Sequence, residues 1–462
     1  MLMTSARPAL PDLLRIPEDA VQPRAAAEYR ALVFSEYFPP YMGSDLRITH
    51  LASNFRRVEP HFAVTPPMRI LADGSEPALQ TYFDTNHGSG VFAATYKSMH
   101  GTYLSLPPGV QALWRHSREL AYAASVPILV RQARALIERH EPDVVVLAHA
   151  SYLCGMTGAI AAQRCGKKIV LDYPDAWTPL AIETAGMPRK FSYTEKLLLQ
   201  LERNVLKRAD RVVSITRSLN EYIRTLADVE HIDIVENGAE HTHFNPANAR
   251  PFRAELGIPE GARVVLMSGR VEGWSGVETI GAVVQETVRR APDVIFLIVG
   301  SGSRLGDLKA DIAKRGCDER VIFTGLRPYK EMPSIIGASD VAYIPFPETA
   351  ATRCCTPVKL IEFAMMNVPV VTTPLPGITE LYGGTLDYVD SLAASAVAPR
   401  LLRVLDDLAG ARERSEFARR MSNQRYRWDA LGAKFEDVLL DAIGARPAAA
   451  KRTETAGFEQ VA

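Results

Sequence analysis

Five cysteines in 462 residues, odd in number and without paired metal-ligand spacing, cannot supply a disulfide framework or a structural zinc site. Cys154, Cys165, Cys317, Cys354 and Cys355 read as thiols of a reducing compartment. Excess charge of one sign is also missing, with 53 lysines plus arginines against 53 aspartates plus glutamates. Phosphate-backbone binding shows as a basic excess, so the balance argues against nucleic acid as a principal partner. Long apolar runs are absent too: the longest, around Ala121 to Val130, is interrupted by Pro127 and too short to span a bilayer. The first 28 residues, rich in Pro and Ala and mixed in charge, lack the basic-then-apolar order of a leader. The expected location is cytoplasmic, with peripheral attachment to the inner face of a membrane left open.

What is present is rhythm. The chain is longer than one hydrophobic core supports, so two domains of roughly 200 residues are expected. From ALVFS (31–35) through DVVVLAH (143–149), KKIVLDY (167–173), RVVSIT and HIDIVENG, apolar strands alternate with helical stretches such as Arg118 to His140 and Tyr193 to Ala209. Residues 60–117 carry no clear pattern. After the turn-rich ENGAEHTHFNP (236–246) the rhythm restarts with RVVLMSG, VIFLIVG, RVIFTG, VAYIPF, VPVVTT and LDYVD. Strands apolar throughout and alternating with helices indicate parallel sheets covered on both faces. The expected architecture is α/β, two Rossmann-like doubly wound domains facing across a cleft. Its parts are a flexible extension (1–28), a first domain (29–238), a second domain (239–420), a C-terminal helix packing back on the first domain (421–445) and a disordered tail (446–462).

The stretch TPVKLIEFAMMNVPVV (356–371) concentrates the chemistry. A helix starting after an irregular loop offers unpaired N–H groups and a positive dipole end, which suits a phosphate. Glu362, one turn further in, could accept hydrogen bonds from a ribose diol. The plainer alternative is a helix start with a surface glutamate. His241 and His243 lack a third partner at ligand spacing, so no metal site is expected.

Four stretches then carry a family resemblance: FPPYMGSDLRI, VENGAEHTHFNP, VVLMSGRVEGWSGVETI, and FTGLRPYKEMPSIIGASDVAYIPF followed by TPVKLIEFAMMNVPVV. In order and spacing they resemble glycosyltransferases of the two-Rossmann (GT-B) type, most closely family 4. The resemblance implies a retaining transfer from a nucleotide-diphosphate sugar of UDP or GDP type, with no cofactor or obligatory metal. It implies a donor on the second domain and an acceptor (a cell-envelope glycan, a lipid-linked carrier or a small natural product) on the first. It places Gly43, Gly269, Arg270, Ser275, Gly300, Arg327, Pro357, Val358, Lys359 and Glu362 around the donor, Arg270 on the pyrophosphate and Glu362 on the ribose. Arg270, Asp175 in LDYPDAW and His149 are the catalytic candidates, with Asp172 an alternative to Asp175. The chain departs from the family twice. Ser275 stands where a lysine is usual, with Lys359 and Arg353 as nearby substitutes. Cys354 stands at the first position of the Glu–seven residues–Glu motif, with Glu348 the nearest upstream carboxylate. These departures keep two alternatives open: a catalytically impaired sugar-nucleotide-binding regulator, and a sugar-nucleotide epimerase.

Overall fold

The computed structural model describes residues 27–38, 43–66, 93–96, 98–114, 116–150, 153–184 and 192–445. The expected tail and nearly all of the expected extension lie outside these residues, as do 39–42 ahead of Gly43. The first lobe is an eight-stranded sheet in the order β3-β4-β2-β1-β5-β6-β7-β8. Its strands are β1 (Tyr29–Ser35), β2 (Val58–Val64), β3 (Ala93–Tyr96), β4 (Met99–Tyr103), β5 (Val144–Leu147), β6 (Lys168–Asp172), β7 (Arg211–Ser214) and β8 (Ile232–Ile234). The second is a six-stranded sheet in the order β11-β10-β9-β12-β13-β14. It contains β9 (Arg263–Ser268), β10 (Val294–Val299), β11 (Val321–Gly325), β12 (Val341–Ile344), β13 (Val370–Thr372) and β14 (Asp387–Tyr388). Among the described residues every pairing is parallel except the edge pair β3–β4, which is antiparallel and lies in the stretch with no legible sequence pattern.

The apolar strands are buried on both faces because successive side chains point to opposite sides. Leu32 and Phe34 of β1 enter one core while Ala31 and Val33 enter the other. In β9 the same alternation sends Val264 and Leu266 one way and Val265 and Met267 the other. Each sheet reverses its winding once, between β1 and β5 and between β9 and β12. Outside the carboxyl ends of the strands at such reversals a crevice opens that ligands use.

Helix Arg118–His140 runs through Pro127 without ending. Its segment Leu120–His140 is long and apolar enough to cross a membrane by length and composition, in contrast to the interrupted run seen in the sequence. Ala121, Leu129, Ala133, Leu136 and Ile137 of that helix are buried in the first lobe's core.

The last helices return across the chain. Leu408–Arg425 packs on the second lobe, and Trp428–Ala442 crosses to pack on Gly43–Ser53. Gly432 sits where an added Cβ would come within 2.7 Å of the Leu51 carbonyl oxygen, so the two helix backbones touch. One carboxylate oxygen of buried Glu436 accepts the N–H groups of Arg56, Arg57 and Val58 at 2.7–2.8 Å, satisfying the donors that open β2. Glu436→Ala should strand three donors and cost on the order of 2–3 kcal/mol. Denaturant unfolding followed by Trp fluorescence checks this; an unchanged midpoint would refute the role given to the carboxylate.

Candidate functional site

In the second lobe the site begins where β9 ends. Gly269 has φ +112° and Gly300 φ +138°, and a Cβ on Gly300 would lie 2.0 Å from the Gly269 carbonyl oxygen. A Cβ on Gly302 would lie 2.1 Å from the Val271 carbonyl oxygen. These two glycines let segment 269–271 lie directly on segment 300–302. The absent side chain of Gly300 is thus explained by backbone packing rather than by ligand contact.

Arg270 is aimed by a carboxylate that sequence reasoning missed. Its guanidinium donates to Glu272 through Nε at 3.1 Å and Nη2 at 2.5 Å, and buried Glu272 also accepts from Ser303. A Glu two residues after an Arg carries no periodic signal, so no sequence pattern announced it. Ser275 is committed elsewhere: its hydroxyl donates to the Glu272 carbonyl at 2.7 Å and accepts the Glu272 N–H at 3.0 Å. It caps a 3-10 turn and does not replace the family's cation. Gly276 follows at φ +70°, with the Pro345 carbonyl oxygen 1.9 Å from where a Cβ would be, so this turn is pressed against the end of β12. Arg327 is likewise occupied, by Glu331 at 2.7 Å and by the ring of Phe252.

Helix Val358–Met365 starts at Pro357 with no side-chain cap. Lys359 turns back from it and donates from Nζ to the Ser268 carbonyl at 2.6 Å, with the Phe346 ring 5.1 Å away. A cation therefore stands at the end of β9 beside Gly269, whose Cβ position would be 2.9 Å from Nζ. Of the two substitutes weighed for the missing lysine, Lys359 is the one that reaches the end of β9. Arg353 is 63% exposed and pairs with Glu348 at 3.7 Å, which draws both away from it. Burial lowers the Lys359 pKa to about 8, opposed by charge on Cys355 and Glu362. Glu362 is buried, and among the described residues its carboxylate makes no hydrogen bond. Burial raises its pKa to about 7, with Lys359 pulling the other way.

The first lobe's reversal carries the opposite charge. Asp45, in the first turn of the helix that Gly43 opens, accepts the N–H groups of Glu36 at 3.0 Å and Tyr37 at 3.4 Å and the hydroxyl of Ser35. His149, just beyond β5, lies 3.8 Å from Asp45 and 4.8 Å from the Trp177 ring. Burial opposes protonation of this imidazole, yet Asp45, Glu36 and Asp172 together raise its pKa above the ordinary value. Asp172 itself is tied to Arg47 at 2.9 Å, which removes it as a free alternative to Asp175. Asp175 is partly exposed; burial and the nearby Asp172 charge lift its pKa to about 7, against Arg47 and His149.

Asp175 is also felt across the gap. Burial raises the Cys355 thiol first, then the Asp175 charge, while Lys359 opposes both. Asp175, Cys355, Lys359 and Glu362 thus form one electrostatic neighbourhood drawn from both lobes. Cys354 does not join it. Its thiol donates to the Ser218 carbonyl at 3.3 Å and is buried in the core of the first lobe. Further contacts close the lobes together: Thr349 donates to Glu183 at 3.0 Å, and Glu380 accepts the N–H groups of Arg217 at 2.7 Å and Ser218 at 3.3 Å. No three His, Cys, Asp or Glu side chains among the described residues could hold a metal. Cavities of about 260 and 620 Å³ lie away from these groups, lined respectively by Phe244, Met365 and Arg420, and by Gln285, Arg289 and Cys317.

Comparison with known proteins agrees with this layout. Residues 87–238 match the glycosyl transferase 4-like domain and residues 262–407 match glycosyl transferases group 1. D-inositol 3-phosphate glycosyltransferase of Rhodococcus erythropolis is 27% identical over 58% of this chain and 63% of its own length. 2-Deoxystreptamine glucosyltransferase of Streptomyces kanamyceticus is 27% identical over 46% of this chain and 56% of its own. The chain thus spans less than two thirds of these relatives' lengths. Sucrose-phosphate synthase from Thermosynechococcus elongatus superposes with a TM-score of 0.70 at 18% identity, covering 90% of this chain and 99% of that one. Anabaena HepE in complex with UDP-glucose superposes with a TM-score of 0.66 at 17% identity, covering 89% and 100%. Two family models in chain order, each on its own lobe, and the shared two-lobe fold place this chain among the GT-B glycosyltransferases of the family 4 type.

Proposed function

We propose that this protein moves a sugar from a nucleotide-diphosphate donor to a hydroxyl acceptor, with retention at the anomeric carbon. The observation that carries this is Glu362: a buried carboxylate without a hydrogen-bond partner among the described residues, one turn inside an uncapped helix start. In the proposed complex Glu362 accepts from the ribose diol, while Arg270, Lys359 and the N–H groups after Pro357 face the diphosphate. Charge building on the departing diphosphate meets two cations already in place, which is where electrostatic catalysis would come from. Asp175 and His149 face the acceptor and hold its hydroxyl against the anomeric carbon. In front-face substitution the leaving phosphate takes that proton, so no protein nucleophile is needed. The bond from the anomeric carbon to the diphosphate oxygen breaks and the bond to the acceptor oxygen forms on the same face. The UDP-glucose held by HepE supports uracil as the first base to test. Relatives named for inositol 3-phosphate and deoxystreptamine support a polyhydroxylated acceptor.

A second reading, a sugar-nucleotide-binding regulator, draws on Cys354, whose side chain is withdrawn into the opposite lobe where the family has a glutamate. Slow hydrolysis of a bound donor separates the two, since a regulator would bind without releasing sugar.

UDP or GDP should raise the melting temperature, and Arg270→Ala or Lys359→Met should weaken that nucleotide about 10- to 100-fold, as expected for one charged contact. With Lys359 titrating at about 8 in the free protein, wild-type affinity should fall between pH 7 and 9.5 more steeply than that of Lys359→Met. Calorimetric titration reads both; a wild type that binds no nucleoside diphosphate defeats the proposal.

Glu362 also has a stability signature. Its pKa in the folded protein, about 7, exceeds the ordinary 4.5, so the native state binds the proton more tightly. Stability is lost as pH rises from 4.5 to 7, and above that the ionised carboxylate burdens the fold. Glu362→Gln should match wild type near pH 4.5 and exceed it at pH 8 by on the order of 3 kcal/mol, while losing nucleotide binding. Denaturation curves at the two pH values decide it; equal stability at pH 8 would contradict the burial argument.

A further inference from the structure

Asn237 stands at the connector between the lobes, 92% buried, and its amide is split between them. Its Oδ1 accepts from Arg47 Nη1 at 3.2 Å, on the first lobe's side. Its Nδ2 donates to the Thr356 carbonyl at 2.8 Å, on the second lobe's side. Thr356 immediately precedes Pro357, Val358 and Lys359, the uncapped start of the helix that carries Glu362. Arg47 itself cannot shift: it is 2% exposed and its guanidinium also binds both oxygens of Asp172 and the carbonyls of Val235 and Glu236. Thr356 has no freedom on its other side. Cys354, two residues earlier, is seated in the first lobe, and the Cys354 carbonyl accepts from Thr216 at 3.4 Å.

We propose that Asn237 is a positioning residue for the donor site, its amide fixing the turn at Thr356 and so the aim of the helix start toward the diphosphate. This rests on the reading of that helix start as the donor's phosphate cradle. The side chain touches no substrate in this scheme; it acts through the Thr356 carbonyl. Its two hydrogen bonds have opposite sense, and this separates positioning from mere packing. Arg47 needs an acceptor from residue 237, whereas Thr356 needs a donor. An aspartate supplies the first and not the second, in nearly the same shape.

The test compares wild type with Asn237→Asp and Asn237→Ser. Asn237→Asp keeps the Arg47 contact and should melt within a few degrees of wild type. It should bind UDP or GDP, whichever the wild type takes, about 5- to 10-fold more weakly, as expected for one lost hydrogen bond to a buried carbonyl. In turnover the change should fall on the donor KM, leaving the acceptor KM unmoved. Asn237→Ser, whose hydroxyl can donate as well as accept, should recover part of the donor affinity. Hydrogen exchange gives a readout independent of any ligand: amides 360–362, the first that the helix itself hydrogen-bonds, should exchange faster in Asn237→Asp, while those of β1 and β5 stay as in wild type. Unchanged exchange at 360–362, or unchanged nucleotide affinity with a lowered melting temperature, would overturn the proposal. A wild type that binds no nucleoside diphosphate would sink the functional reading alone, since the exchange comparison still decides whether Asn237 sets the turn.

Discussion

A guanidinium taken out of water carries a desolvation cost of several kcal/mol unless every donor finds a partner. Arg47 meets that condition: Asp172, two main-chain carbonyls and an amide oxygen surround it. Those partners come from separate stretches, namely the end of β6 and the connector beginning at Val235, with the arginine on helix Gly43–Ser53. The charge can be buried only if all three are in place at once. The same condition makes the connector part of the first lobe's interior rather than a loose tether, and everything facing the second lobe is referenced to it.

From that reference the two sheet reversals come to lie opposite each other. On the first lobe Glu36, Asp45, Asp172 and Asp175 gather around Arg47 and His149, and on the second Arg270 and Lys359 stand beside Glu272 and Glu362. In the proposed reaction the diphosphate becomes more negative as the sugar becomes more positive, like an oxocarbenium ion. In the proposed complex the placement of Arg270 and Lys359 beside the diphosphate favours that separation. It is built before any substrate arrives, so little reorganisation is required at the moment of bond breaking.

The strands and the two-lobe plan were legible because fully apolar β-branched runs such as VVVL and VIFLIV have few other uses. The antiparallel β3–β4 edge was not, since its residues lie among scattered turn formers. The places of Arg270, just after a strand, and Glu362, inside a helix, were legible too. What stayed hidden were partners at large separation. Arg47 and Asp172 are 125 residues apart, Asn237 and Thr356 119, and such pairs leave no periodic trace. Family position also gave no sign of the local contacts these residues make: Ser275 caps a turn, Gly300 makes room for a backbone, and Arg327 is held by Glu331. Between Lys359 and Arg353 the chain alone could not choose, because the decision rests on which one reaches the end of β9.

The thiol of Cys354 gives the molecule an unusual division of ownership. By chain connectivity its loop belongs to the second lobe, yet its side chain is lodged in the interior of the first. Parting the lobes must therefore withdraw a sulfur from an apolar seat and loosen the turn that leads into helix Val358–Met365. In the proposed reaction, opening and loss of grip on the leaving group would then be one event, and the spent nucleotide would be let go by the same motion that makes room for it to leave.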